Sequence, residues 1–195
     1  LKGAKNTKIT IKYLRQNKSY TTELVLDEVD IKSVPFFGKI DDKTGYIVLS
    51  HFSRKASVEV KEALEKLKAD GAKQIVLDLR GNPGGLLNEA IDICNLFVPK
   101  NEVIVTTKSR IEKHNNTYKT QKEPIDTEIP LAILVNGRSA SASEIVSGAL
   151  QDLDRAVILG SRSFGKGLVQ RTVDLTYGTQ LKVTISRYYT PSGRC

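Results

Sequence analysis

Apolar residues recur along this chain with two periods, one typical of strands and the other typical of helices. Residues 8–14 and 20–25 alternate between apolar and polar side chains around turn-forming residues at 16–18, which predicts two strands. Continuous apolar runs at 46–50 and 74–79 are typical of strands buried in a sheet. Between those runs, helical spacing from about 58 to 70 predicts a helix whose apolar face carries Val60, Ala63, Leu64 and Leu67.

The same succession of strand and helix patterns continues to the end of the chain. A second helix carries Leu87, Ala90, Ile91 and Cys94 on one face, and a third runs from Ser141 to about residue 150. Further strands are predicted at 103–108, 118–121, 131–135, 157–159, 168–173 and 179–189. Strands that alternate with helices in this way predict an α/β fold with a largely parallel sheet.

The first 45 residues do not fit that α/β pattern. Two strands alone rarely form a stable domain, so residues 1–30 are interpreted as the end of a β-rich module. Residues 31–45 contain Pro35 and a turn at Asp41 to Gly45, and are interpreted as a linker. The α/β domain is therefore expected over residues 46–195.

The amino-acid composition of the chain limits the kinds of binding partner that we expect. The net charge is +8, but the basic residues are spread along the chain and often stand beside acids, as in Lys61-Glu62. No basic run is interleaved with aromatic residues, so a solvated surface is predicted and no nucleic-acid partner. Mild attraction to an anionic envelope surface stays open.

Cysteine, histidine and methionine counts limit the chemistry further. Two cysteines, Cys94 and Cys195, and two histidines, His51 and His114, provide neither a disulfide framework nor a zinc spacing. We therefore predict no metal and no cofactor. The chain has no methionine, no signal-peptide pattern and no apolar run of about 18 residues, and we interpret it as a processed product or a piece of a longer protein.

Candidate chemistry lies in three loops that follow predicted strands, at residues 80–85, 136–141 and 160–167. In open α/β sheets, sites form at that edge. Ser141 with Glu144 fits a capping box, so the serine is either only a helix cap or a nucleophile beside unpaired backbone N–H groups that suit an oxyanion. The glycine-rich loop from Gly81 to Gly85 is either a simple turn or a donor of N–H groups to an anion.

The third loop contains Lys166 between two glycines and allows two interpretations. Gly160, Gly165 and Lys166 match the first part of a P-loop, but Gly167 replaces the hydroxyl residue and a strand pattern follows where a helix is required. Alternatively, Lys166 is a general base for a serine, which requires burial or a nearby cation to lower a lysine pKa. Gln170 lies four residues on and could orient the amine, whereas neither histidine stands in a recognisable triad context.

Three sequence blocks resemble the C-terminal processing peptidases, also called tail-specific proteases. The blocks are Ser139 to Ile145, Ser163 to Gln170, and Leu77 to Arg80 with Asn82, Gly84 and Gly85, and they occur in the family's order from about residue 46 onward. The resemblance implies the crotonase/ClpP-like α/β–β superhelix core. It also implies that residues 1–30 are the C-terminal part of a PDZ domain.

The resemblance also implies roles for single residues. Ser141 matches the nucleophile, Lys166 the general base and Gln170 the residue that orients the lysine. The backbone N–H groups of Gly85 and Ala142 match the oxyanion hole. Asp152 matches an acidic position that influences activity in some members.

A serine endopeptidase acting near the unstructured C-termini of polypeptide substrates is therefore the expected function, outside the cytoplasm in the periplasm or cell envelope. Self-association stays open. Two alternatives remain: a noncatalytic peptide-binding module on the same fold, and a nucleotide-binding protein that uses the loop with Gly160, Gly165 and Lys166.

Overall fold

The computed structural model describes residues 2–28 and 31–195 and divides the chain into two compact units, residues 1–31 and 32–195. Val29 and Asp30, at the predicted boundary between the module and the linker, lie outside the described residues. The first unit is a hairpin of β1 (Lys8–Arg15) and β2 (Lys18–Val25), which pair antiparallel along their whole length. Its turn residues Gln16 and Asn17 have φ values of 50° and 60°, as the turn-forming sequence predicts.

The second unit contains nine strands and three helices among its described residues. The helices are α1 (Ala56–Ala69), α2 (Leu87–Cys94) and α3 (Ala142–Asp152). The strands are β3 (Phe36–Lys39), β4 (Thr44–Val48), β5 (Gln74–Asp78), β6 (Val103–Lys108), β7 (Asn116–Lys119), β8 (Leu131–Val135), β9 (Val157–Gly160), β10 (Leu168–Asp174) and β11 (Gln180–Tyr189).

A five-stranded sheet in the order β3-β4-β5-β8-β9 forms the centre of this unit. Strands β4, β5, β8 and β9 are parallel, which confirms the predicted α/β architecture. Ile47, Leu77 and Ile133 lie on three adjacent strands and are fully buried, because helices pack on the sheet. The predicted face of α1 is buried at Val60, Ala63, Leu64 and Leu67.

A second sheet has the order β10-β11-β6-β7, and all of its pairings are antiparallel. The hairpin of β6 and β7 is the one predicted around His114, with one turn of 3₁₀ helix at Glu112–His114. Strand β11 lies between β10 and β6 and therefore connects the end of the 160–167 loop to the body of the fold.

The stretch predicted as a linker, residues 31–45, contains a strand. Strand β3 pairs antiparallel with β4, from Phe36 opposite Val48 to Lys39 opposite Gly45. It is an exposed edge strand of four residues that follows Pro35, so the chain around it shows turn signals and little alternation. No helix in the described part of the chain is long and apolar enough to span a bilayer.

Candidate active site

Three loops meet at the carboxyl edge of the parallel strands, as their positions after β5, β8 and β9 predict. The Ser139 hydroxyl donates to the Leu79 carbonyl at 2.8 Å, and the Ala140 N–H donates to the Asn82 carbonyl at 3.0 Å. The Phe164 N–H donates to the Ser139 carbonyl at 3.0 Å. These bonds place the glycine-rich loop, the serine loop and the lysine loop against one another.

Ser141 is set apart from the other serines of its loop. Ser139 and Ser143 are buried, and the Ser143 hydroxyl donates to the Asn82 carbonyl at 3.0 Å, so both hydroxyls hold the loops together. Ser141 is only half-buried and has φ of 58° and ψ of −114°. A positive φ is costly for a residue with a Cβ, and such strain concentrates at functional sites. The geometry therefore distinguishes Ser141 from the other two serines of the loop.

The predicted capping box is present at the start of α3. The Glu144 carboxylate accepts a hydrogen bond from the Ser141 N–H at 2.8 Å. The Glu144 N–H donates to the Ser141 carbonyl oxygen at 2.9 Å, so this backbone group does not depend on the hydroxyl for its partner. The Glu144 carboxylate and N–H therefore both bind backbone atoms of Ser141, so the cap does not depend on the serine hydroxyl alone.

The backbone N–H groups of Gly85 and Ala142 donate to no acceptor among the described residues. Ala142 is the first residue of α3, where the N–H has no partner within the helix. Gly84 presses against the serine: a Cβ there would lie 2.8 Å from the Ser141 Cβ and 2.9 Å from the Ala142 nitrogen. The glycine loop thus lies directly against the N-terminus of α3.

Glu144 also binds the lysine loop. Its two carboxylate oxygens accept hydrogen bonds from the Ser163 hydroxyl at 2.8 Å, the Gly165 N–H at 2.6 Å and the Lys166 N–H at 2.9 Å. A single carboxylate therefore binds the backbone of Ser141 and of Lys166. The loop N–H groups that a P-loop would direct at phosphate bind this carboxylate instead, and β10 follows where a P-loop needs a helix.

The Lys166 amine forms no hydrogen bond with Ser141 in this structure. Its Nζ makes no hydrogen bond or ion pair among the described residues, and the half-buried side chain lines a cavity together with Glu144 and Tyr188. Gln170 stands exposed on β10, beside the position where β11 bulges opposite Val169 and Gln170. Its amide bonds to no described residue, so the predicted contact with the lysine is not formed.

Tyr188 on β11 is a fourth contributor to this site. Its hydroxyl donates to the Lys166 carbonyl oxygen, and its backbone N–H donates to the Gly167 carbonyl at 3.1 Å. Burial raises the pKa of Tyr188 to about 12; a hydrogen bond with the Ser141 side chain opposes this rise, and the nearby Glu144 carboxylate adds to it. The tyrosine hydroxyl therefore lies among the serine, the lysine backbone and the glutamate.

The sequence did not assign a role at this site to Tyr188, and it assigned Glu144 only its capping role. The Ser-x-x-Glu spacing was the one signal for Glu144, and it does not reveal contacts about 20 residues further along the chain. Tyr188 lies in a plain alternating strand, where nothing in the local pattern marks it.

Asp152 lies at the end of α3, away from the serine, and binds the turn at residues 190–194. It accepts hydrogen bonds from the Ser192 N–H at 2.9 Å and from the Arg194 guanidinium. Burial alone would raise the pKa of Asp152, but the hydrogen bonds outweigh it and the pKa falls below its ordinary value. Because that turn directly follows β11, Asp152 holds the end of the strand that carries Tyr188.

Comparison of the sequence with known proteins identifies peptidases as relatives. Residues 43–195 match the sequence model of peptidase family S41. A carboxyl-terminal-processing protease of Synechocystis sp. is 39% identical over 196 residues, which cover 98% of this chain and 45% of the relative. A probable CtpA-like serine protease of Staphylococcus aureus is 39% identical over 199 residues, which cover 99% of this chain and 38% of the relative. The chain thus spans less than half the length of these two curated relatives.

Solved structures show the same likeness in three dimensions. The photosystem II D1 C-terminal processing protease superposes with a TM-score of 0.74 at 30% identity, over 98% of this chain and 53% of the other. An S41 protease of Bacteroides fragilis, described as putative, superposes with a TM-score of 0.70 at 18% identity, over 96% of this chain and 55% of the other, and shows the fold alone. Both likenesses agree with the α/β core described above.

Proposed function

Because the chain belongs to peptidase family S41, we propose that it is the catalytic part of a serine endopeptidase that cleaves polypeptides near unstructured C-termini. The observation that carries the proposal is Ser141 itself. It is a strained serine at a helix N-terminus, next to the unpaired N–H of Ala142 and in contact with the glycine loop that carries the unpaired N–H of Gly85. Such a group can attack a carbonyl and have its oxyanion stabilised at once.

The reaction proposed here proceeds through an acyl-enzyme. The Lys166 amine accepts the Ser141 proton as Oγ attacks the scissile carbonyl, and the Gly85 and Ala142 N–H groups donate to the oxyanion. The proton then passes to the leaving amine as the peptide C–N bond breaks. Water, deprotonated by the same lysine, releases the second product. The lysine amine must approach the Ser141 hydroxyl to do this, and Gln170 is proposed to orient it there.

The remaining features are proposals of the same kind. Residues 1–30 are proposed to be the end of a PDZ domain that captures substrate C-termini, joined through residues 31–45 to the catalytic part from 46 onward. The intact protein is proposed to act outside the cytoplasm, in the periplasm or cell envelope. The names of the relatives support substrate processing at a carboxyl terminus.

The test is proteolysis of labelled casein, an unfolded protein, by the intact protein. Ser141→Ala should reduce cleavage to background, whereas Ser147→Ala should keep the parent rate. Ser147 is the matched control because it lies on the same helix and its hydroxyl donates to backbone carbonyls of that helix, of Ser143 at 2.8 Å and of Glu144 at 3.5 Å. Cleavage by purified Ser141→Ala at the parent rate would refute the assignment.

A second experiment addresses the position of cleavage. One unfolded polypeptide is prepared with a free C-terminal carboxylate and with a C-terminal amide. Faster cleavage of the free acid supports recognition of the C-terminus, and equal rates would restrict the proposal to a general endopeptidase.

A further inference from the structure

We propose that Tyr188 is a positioning residue for the serine–lysine pair, because its hydroxyl bonds at once to the lysine backbone and to the nucleophilic serine. The proposal rests on the proposed function of Ser141 and Lys166. It concerns a residue on β11, a strand remote in sequence from Ser141 and separated from Lys166 by all of β10.

The tyrosine is held rigidly from three directions. Its backbone pairs with Thr107 of β6, and its N–H donates to the Gly167 carbonyl at 3.1 Å. Strand β11 ends in the turn that Asp152 binds through Ser192 and Arg194. The ring is half-buried, so its hydroxyl occupies a fixed point rather than a mobile one.

The hydroxyl of Tyr188 meets both partners of the pair at that fixed point. It donates to the Lys166 carbonyl oxygen, and it faces the Ser141 side chain within hydrogen-bonding reach. Glu144 fixes the N–H groups of Ser141 and Lys166, at 2.8 Å and 2.9 Å. Tyr188 adds two contacts that Glu144 does not make, because its hydroxyl binds the Lys166 carbonyl oxygen and the Ser141 hydroxyl.

This arrangement has a consequence for the serine. Because the Lys166 amine makes no hydrogen bond among the described residues, the Tyr188 hydroxyl is the group that orients the Ser141 hydroxyl before the base arrives. Catalytic rates are sensitive to such orientation, since a misplacement of about 1 Å can reduce a rate about 100-fold. Loss of the tyrosine hydroxyl should therefore slow the chemical step rather than weaken substrate binding.

The experiment compares Tyr188→Phe with Tyr189→Phe in the intact protein, using labelled casein. Tyr189 is a matched control because it is the neighbouring half-buried tyrosine of β11, and its ring is packed 5.1 Å from the Lys108 amine. We expect kcat to fall about 10- to 100-fold for Tyr188→Phe with KM within about twofold of the parent. Tyr189→Phe should match the parent in both constants.

A rescue variant separates positioning from packing. Replacing Tyr188 with p-aminophenylalanine restores a polar donor at the same place on the ring, and should recover most of the lost kcat. Parent-like kcat in Tyr188→Phe would overturn the proposal. So would a loss of kcat that follows a lower melting temperature or a raised KM and is not rescued. If the parent shows no cleavage that depends on Ser141, the proposed function fails instead, which the Ser141→Ala arm reveals.

Discussion

Ser141 and Lys166 lie in loops at the same edge of the sheet, yet the fold holds the two residues in different ways. Two buried hydroxyls anchor the serine loop. The Ser139 hydroxyl donates to the Leu79 carbonyl, and the Ser143 hydroxyl donates to the Asn82 carbonyl. The lysine loop is bound mainly through its backbone, by the Glu144 carboxylate and the Tyr188 hydroxyl. The backbones of both residues are therefore held in place, whereas the Lys166 amine has no hydrogen-bond partner among the described residues.

This difference separates two tasks of a catalytic pair. An oxyanion hole must be preorganised, because donors that had to reorganise during the reaction would cost part of what they stabilise. A general base carried on a long flexible side chain can be delivered late. The comparison predicts that changes on the serine side affect stability and rate together, and that changes on the lysine side chain affect rate alone.

The largest effect is expected from removal of the amine. Lys166→Met keeps the length of the side chain and deletes the base, so kcat should fall about 1,000-fold while the melting temperature stays unchanged. Steady-state proteolysis and thermal unfolding measure the two quantities. Lys108→Met, which removes an amine that lies over the Tyr189 ring, is the control. A cleaving Lys166→Met variant would show that another group is the base.

A methyl group at Gly84 tests the serine side. Its Cβ would lie 2.6 Å from the Ala140 carbonyl oxygen and 2.8 Å from the Ser141 Cβ, at a φ of 99°. Gly84→Ala should therefore reduce kcat about 100-fold and the free energy of unfolding by about 2–3 kcal/mol. Urea unfolding measures the latter. Gly81→Ala has a similar φ of 76° but open space around its Cβ, and should lose stability without a comparable loss of kcat.

Glu144 connects the two sides, and its neutral isostere should disturb both. Glu144→Gln places an amide donor against backbone N–H donors of Ser141, Gly165 or Lys166, so at least one of these hydrogen bonds is lost. We expect kcat to fall about 10- to 100-fold. Glu62→Gln, at an exposed position of α1, is the control and should keep the parent kcat. Unchanged kcat in Glu144→Gln would mean that the two loops hold their places without the carboxylate.

Much of this architecture can be predicted from local sequence patterns, and particular residues show what such patterns cannot predict. The runs at 46–50, 74–79 and 131–135 predict buried strands because their side chains are apolar on both faces, and the Ser-x-x-Glu spacing predicts the start of α3. Strand β3 was predicted as part of a linker, because an exposed edge strand needs no apolar alternation.

Long-range contacts account for what the sequence could not predict. The three loops were expected to meet because they follow strands of one sheet, and they do. The Lys166 carbonyl accepts a hydrogen bond from Tyr188, which is 22 residues further along the chain, and no local pattern pairs these two residues. The roles predicted for Ser141, Lys166, Gln170, Gly85 and Ala142 all stay predictions that kinetic measurements must decide.

The backbone of Ser141 has one more consequence, which concerns evolution rather than catalysis. At a φ of 58° the residue best suited to the turn is glycine, which adopts such angles without steric cost. Selection for foldability alone would therefore favour replacing this serine. Its presence in a conformation that its own side chain disfavours means that the surrounding loops must supply surplus stability. Lineages that lost proteolysis would be expected to relax at this position first.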